Sequence, residues 1–223
     1  MTRQRRSGEA VEEAVRTEAL AALARLKEGN RRFATGEERT RTGLSHPARR
    51  AELVAGQRPF AIVLGCSDSR VPAEIVFDQG LGDLFVIRVA GNVVAPSQVG
   101  SVEFAAERFG TRLVVVLGHS QCGAILATLE ALRQPDGRHS PNLRSIVDRI
   151  RPSVEGLWAT DLAKDPDALA REAVRAHVRV SANQLRHGSE VLERLIEREG
   201  LLVVGAEYAL ESGVVEVFDG VPG

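Results

Sequence analysis

A chain of 223 residues has room for one good-sized domain and is too long to be a small disulfide-stapled scaffold. Its 29 Lys and Arg against 30 Asp and Glu leave a formal charge of -1, without the bulk positive field that draws proteins to nucleic acid or anionic lipid. Hydrophobic residues at 43% and charged residues at 26% exclude a disordered or fibrous chain, and aromatic residues at only 4% require an aliphatic core.

The basic stretch 1–10 has no apolar run behind it, and the longest apolar runs fall well short of the ~20 residues that cross a bilayer. The expectation is a cytoplasmic protein with no membrane or nucleic-acid partner, whose two cysteines stay reduced. Over residues 9–33, Val11, Val15, Leu20, Leu23 and Leu26 recur at helical spacing, which predicts an amphipathic helix. Residues 35–47 mix Gly, Thr and Arg without a period and read as an extended arm. Four aliphatic runs follow, at 60–64, 84–89, 113–117 and 201–204. Each is almost continuously apolar, the pattern of strands covered on both faces. Helix-period segments at 98–108, 122–133 and 171–198 lie between them, and 135–141 reads as a polar loop. A last run, 214–218, comes too soon after the fourth strand for a crossover and should pair antiparallel at the edge.

The fold class is therefore α/β: a Rossmann-like sheet of four parallel strands plus an antiparallel edge strand, flanked by helices and preceded by a helical arm. Residues 1–223 read as a single domain, with 1–45 as helix and arm and 46–223 as the core.

In open α/β sheets, ligands collect at the carboxyl ends of strands. The first strand ends in Cys66-Ser67-Asp68-Ser69-Arg70 and the third in Gly118-His119-Ser120-Gln121-Cys122-Gly123. If these strands are neighbours, Cys66, Asp68, His119 and Cys122 share one crevice. Two thiolates, an imidazole and a carboxylate are a zinc ligand set, since soft sulfur disfavours magnesium and calcium. Ser120 is in position to cap the helix that Cys122 begins, whose dipole favours the thiolate. Asp68 can either fill the fourth zinc position or turn to pair with Arg70, whose planar fork matches a carboxylate; in the second case the open position takes water and hydration chemistry follows.

These residues resemble the β-class carbonic anhydrases. Both strand-tip motifs, CSDSR at 66–70 and GHSQCG at 118–123, stand unbroken, and further similarity runs through LKEGNRRFATG at 26–36, GLGDLFVIRVAGN at 80–92 and GAEYALESG at 205–213. The resemblance implies one Zn2+ per subunit held by Cys66, His119 and Cys122. It implies reversible hydration of carbon dioxide to bicarbonate and a proton by zinc-bound hydroxide, with Asp68 and Arg70 as the gate. It also implies a substrate pocket of Gln57 from the partner subunit, Phe85, Ala90 and Phe104, the last standing where plant-like members carry a tyrosine. Self-association as a homodimer or dimer of dimers follows, with the N-terminal helix as the arm to swap across. A bicarbonate inhibition site found in some members is matched by Arg88 and Tyr208 but broken at Val63, so strong bicarbonate inhibition is not expected.

Three alternatives stay open on sequence: a related zinc hydrolase acting on a sulfur analogue of carbon dioxide, a closed-site zinc interaction protein sealed by Asp68, and a redox protein pairing Cys66 with Cys122. His46, His139, His177 and His187 lack cysteine neighbours and read as surface or capping residues, and Trp158 as a packing residue.

Overall fold

The computed structural model describes residues 3–38, 46–134 and 140–222, with side chains from residue 17 onward. The expected arm at 35–47 and loop at 135–141, and His139, lie largely or wholly outside the described residues. So do the side chains of Val11 and Val15.

Five strands, β1 (Ala61–Gly65), β2 (Leu84–Arg88), β3 (Leu113–His119), β4 (Leu202–Tyr208) and β5 (Val215–Asp219), form one sheet in the order β2-β1-β3-β4-β5. The first four are parallel and β5 is antiparallel to β4, as the run lengths and connections predict. Every residue of β1 and β3 is buried, which explains why these strands carry apolar residues without alternation.

The helices are α1 (Arg3–Thr35), α2 (Pro47–Leu53), α3 (Ala73–Val76), α4 (Pro96–Arg108), α5 (Gly123–Arg133), α6 (Pro141–Trp158), α7 (Pro166–His187) and α8 (Glu190–Glu199). On one face of the sheet, Ile62, Leu64, Val114 and Val116 pack against α4, α7 and α8 through Val102, Ala106, Val178, Ala182, Leu185 and Leu192. On the other, Val63, Val115 and Leu117 meet Leu23 and Leu26 of α1. The closeness of α7 depends on Gly118, where an added Cβ would stand 2.5 Å from Val178 Cγ2.

Two expectations need correction. The segment expected as one helix over 171–198 is two, because Gly188 ends α7 and the Ser189 hydroxyl accepts from Leu192 N–H to start α8. Helix α6, which the sequence reading left without an element, opens on Ser140 and Pro141 and buries Val147, Ile150 and Val154 one turn apart. The second half of α1 packs on its own chain's sheet. Asn30 fixes it there, donating to Val76 and Gly213 carbonyls and accepting from Val215 N–H.

Candidate metal centre

Strand order and register build the site. In the order β2-β1-β3-β4-β5 the connection leaving β1 runs to β2 on one side and the connection leaving β3 runs to β4 on the other, so a crevice opens at the carboxyl ends of β1 and β3. Gly65 is level with Leu117, which puts Cys66, one residue past β1, beside His119, the last residue of β3. Cys122 stands at the N-cap of α5 three residues on.

The potential ligand atoms of Cys66, His119 and Cys122 all lie within 4.8 Å of one another, and all three residues are buried. The two Sγ atoms are 4.0 Å apart. Thiolates each ~2.3 Å from a tetrahedral ion stand roughly 3.8 Å apart, so the spacing of the two sulfurs fits zinc. The imidazole is set for the same task. His119 Nδ1 lies 2.9 Å from the Ser120 carbonyl, which can only accept, so Nδ1 carries the proton and Nε2 keeps its lone pair. Nε2 is fully buried and has no hydrogen-bond partner among the described residues. An orphaned acceptor beside two thiols is costly unless a cation completes it.

The thiols are electrostatically unequal. Cys66 is drawn down by the hydrogen bond from Cys122, with smaller help from the N–H groups of Asp68 and Gly91, against the cost of burial. Cys122 is pushed up by the same hydrogen bond, by burial and by the charge on Cys66. The first thiolate forms readily and the second opposes it; a divalent cation between them removes that opposition. Ser120 does not cap α5: Cys122 itself occupies the N-cap, while the Ser120 hydroxyl donates to Glu211 and accepts from Leu210 N–H.

Asp68 is turned toward Arg70. Its Oδ1 accepts from Arg70 N–H and Nε, each at 2.9 Å, and its Oδ2 from Nη2 at 2.8 Å. The guanidinium's hydrogen bonds, and next the Arg70 backbone N–H, hold the carboxyl well below the usual carboxylate range. Oδ2 still stands 3.9 Å from His119 Nε2. Arg70 is steadied by the Gln121 carbonyl at 3.4 Å, and Gln121 sits in the left-handed region at φ 56° while its side chain donates to Glu211. Arg88 supports the loop from β2, donating to the Cys66 carbonyl at 3.0 Å and the Asp68 carbonyl at 2.6 Å.

Other expected pocket residues are spread out. Ala90 adjoins Gly91, whose N–H donates to Cys66 Sγ at 3.2 Å. Gln57 is exposed before the amino end of β1, so the whole strand, roughly 16 Å at ~3.3 Å per residue, separates it from Cys66. Phe85 is level with Ile62, in the amino half of the sheet. It forms a cluster with Phe104, which is 54% exposed, and Phe109 at ring distances of 5.6–6.3 Å. Within one chain these three residues do not join the cysteine-histidine group.

Sequence reasoning missed two residues near the centre. His46 does cap α2, accepting from Ala48 N–H, but His177 is neither surface nor cap: it is 3% exposed and bonds to the Gly91 carbonyl. The signal was present, since Val174, Val178, Ser181 and Leu185 place residue 177 inside a buried stripe of α7. Arg88 appeared only as part of an incomplete inhibition motif, whereas it supports the loop that carries Cys66 and Asp68.

A sequence profile of the family described as carbonic anhydrase matches residues 61–215. Carbonic anhydrase 2 of Mycobacterium tuberculosis is 40% identical over 206 residues, covering 88% of this chain and 91% of the relative. A carbonic anhydrase of Mycolicibacterium smegmatis is 41% identical over 202 residues, 89% of this chain and 92% of the relative. Among solved structures, the β-carbonic anhydrase CafA of Aspergillus fumigatus superposes with a TM-score of 0.71 at 26% identity over 91% of each chain. A structure from work on two tetrameric β-carbonic anhydrases of Sordaria macrospora gives 0.70 at 25% identity, over 78% of this chain and 87% of the other.

Proposed function

The chain belongs to the β-class carbonic anhydrases, and from that premise we propose that it interconverts carbon dioxide and bicarbonate with one zinc ion per chain held by Cys66, His119 and Cys122. The observation that carries this reading is the buried, partnerless Nε2 of His119 facing two thiols 4.0 Å apart. Zinc in that position supplies the Lewis acidity that makes water a nucleophile near neutral pH.

The chain's own residues do the rest. Arg70 holds both oxygens of Asp68 and so keeps the carboxylate from swinging in to fill the fourth zinc position. Asp68 Oδ2, ionised and 3.9 Å from His119 Nε2, is placed to accept a hydrogen from the attacking water. Arg88 fixes the loop that presents it. Ala90 contributes to the apolar wall against which an uncharged substrate lies.

Gln57, Phe85 and Phe104 serve the pocket through a second copy of the chain, because within one chain Gln57 precedes the amino end of β1 and Phe85, level with Ile62, packs on Phe104 away from the carboxyl ends where Cys66 stands. Self-association follows, and the Sordaria relatives are described as tetrameric. No helix among the described residues is long and apolar enough to cross a membrane. The test is carbon dioxide hydration followed by stopped flow with a pH indicator, on wild type and Cys66→Ser. The reading expects the variant to fold, lose its zinc and lose turnover together; a variant that hydrates carbon dioxide at the wild-type rate without zinc contradicts it.

A further inference from the structure

We infer that His177 is a positioning residue for the Cys66 thiolate, acting through Gly91. Gly91 lies between the loops that carry the two cysteines. It adopts φ +67°, and a Cβ there would stand 2.8 Å from Ile150 Cδ1 and 2.9 Å from the Ala124 Cβ, so only glycine fits. Its two backbone polar groups face different partners. The N–H donates to Cys66 Sγ at 3.2 Å, and the carbonyl accepts from His177 Nε2 at 2.9 Å. A glycine has soft dihedrals, and without a partner for its carbonyl its N–H would have little reason to keep aiming at sulfur. The imidazole supplies that restraint.

His177 is itself held. A carbonyl can only accept, so Nε2 carries the ring proton, while Nδ1 lies 3.0 Å from Ser153 Oγ, a hydroxyl whose one proton also lies within reach of the Ile150 carbonyl at 2.5 Å. Ser181 Oγ lies 3.4 Å from Nε2. Burial keeps the ring neutral, so it fixes the peptide without placing a second positive charge near the centre. The chain of contacts joins α6 and α7 to one sulfur: Ser153 to His177, His177 to Gly91, Gly91 to Cys66. An N–H directed at a thiolate withdraws charge from it, and so tunes how strongly that sulfur donates to a cation.

The inference rests on Cys66 being a metal ligand, and the experiment separates the two. Cobalt(II) is loaded in place of zinc, and the sulfur-to-cobalt charge-transfer band and the affinity against a competing chelator are measured. The proteins are wild type, His177→Gln, which keeps an N–H donor, His177→Met, which keeps volume without a donor, and Leu185→Ala, a buried residue two turns further along α7. Wild type without the band would remove the premise that Cys66 ligates. Given the band, His177→Met should shift it to lower energy and weaken cobalt binding by roughly 10–100-fold, the range typical of lost outer contacts. His177→Gln should restore both, and Leu185→Ala should lower the melting temperature with neither change. A band and affinity unchanged in His177→Met, or moved equally by Leu185→Ala, overturns the inference. Should His177→Met not fold, Ser153→Ala frees the ring from its Nδ1 side and should move the band less but in the same direction; no movement overturns the inference.

Discussion

Replacing Asp68 by Asn changes one atom of the gate and none of the three metal donors. The amide oxygen can keep the Oδ1 role, accepting from Arg70 N–H and Nε at 2.9 Å. The amide nitrogen would then meet Arg70 Nη2 where a 2.8 Å bond now stands, donor against donor, so the fork loses half its grip and the side chain turns. The charge that accepts a hydrogen beside His119 is gone. Positioned proton acceptors contribute ~10²–10⁴-fold to rate, so turnover should fall by that factor, or by about 3–5 kcal/mol in activation free energy. Stability should barely move, because Arg70 is half exposed and a solvent-screened pair is worth roughly 0–1 kcal/mol. The assay is stopped-flow hydration with metal content measured on the same samples. Turnover within threefold of wild type at full metal content refutes the gate, and loss of metal together with turnover assigns Asp68 to the ion instead.

Three further outcomes are expected. Gly91→Ala forces a left-handed alanine, ~1–2 kcal/mol, and drives its Cβ into Ile150 and Ala124, ~1–3 kcal/mol; chemical denaturation should show a loss of roughly 2–5 kcal/mol, and under 1 would contradict the geometry. Burial lowers His177 from 6.5 to about 4, so the fold excludes a proton that the unfolded chain takes up as pH falls below 6.5. Its contribution is therefore complete above pH 6.5 and lost progressively toward pH 4, by roughly 3 kcal/mol, and His177→Gln should flatten that part of the stability curve relative to wild type; parallel curves would show that the ring is not neutral in the fold. Bicarbonate at constant ionic strength should produce no sigmoidal loss of activity, because Val63 is wholly buried and the Arg88 guanidinium is committed to two loop carbonyls; cooperative inhibition would show that this arginine can leave them.

Much of the fold was readable because it rests on burial alone. Strands such as 113–117, apolar at every position, have to be covered on both faces, and alternation with helices then dictates a parallel sheet. The centre was readable for a related reason: both cysteines stand at strand tips, and neighbouring central strands bring their tips together. Local competition between signals hid the rest. Pro152 and Gly156 mask the period of α6, although Val147, Ile150 and Val154 carry it. Gly188 and Ser189 break a helix whose apolar spacing continues almost in phase. Ser120 has the right residue type to cap α5, but the turn after β4 claims its hydroxyl. His177 has no sequence neighbour that marks it; its role depends on a glycine 86 residues away.

Zinc removal and return tests the central claim most directly. Chelator-treated protein, verified as folded, is titrated with zinc while bound metal and carbon dioxide hydration are recorded at each step. The account predicts that activity rises in proportion to bound zinc and saturates at one ion per chain, with Cys66→Ser flat throughout. Folded protein that hydrates carbon dioxide before any zinc is added, or that fills with zinc and stays inactive, would contradict it.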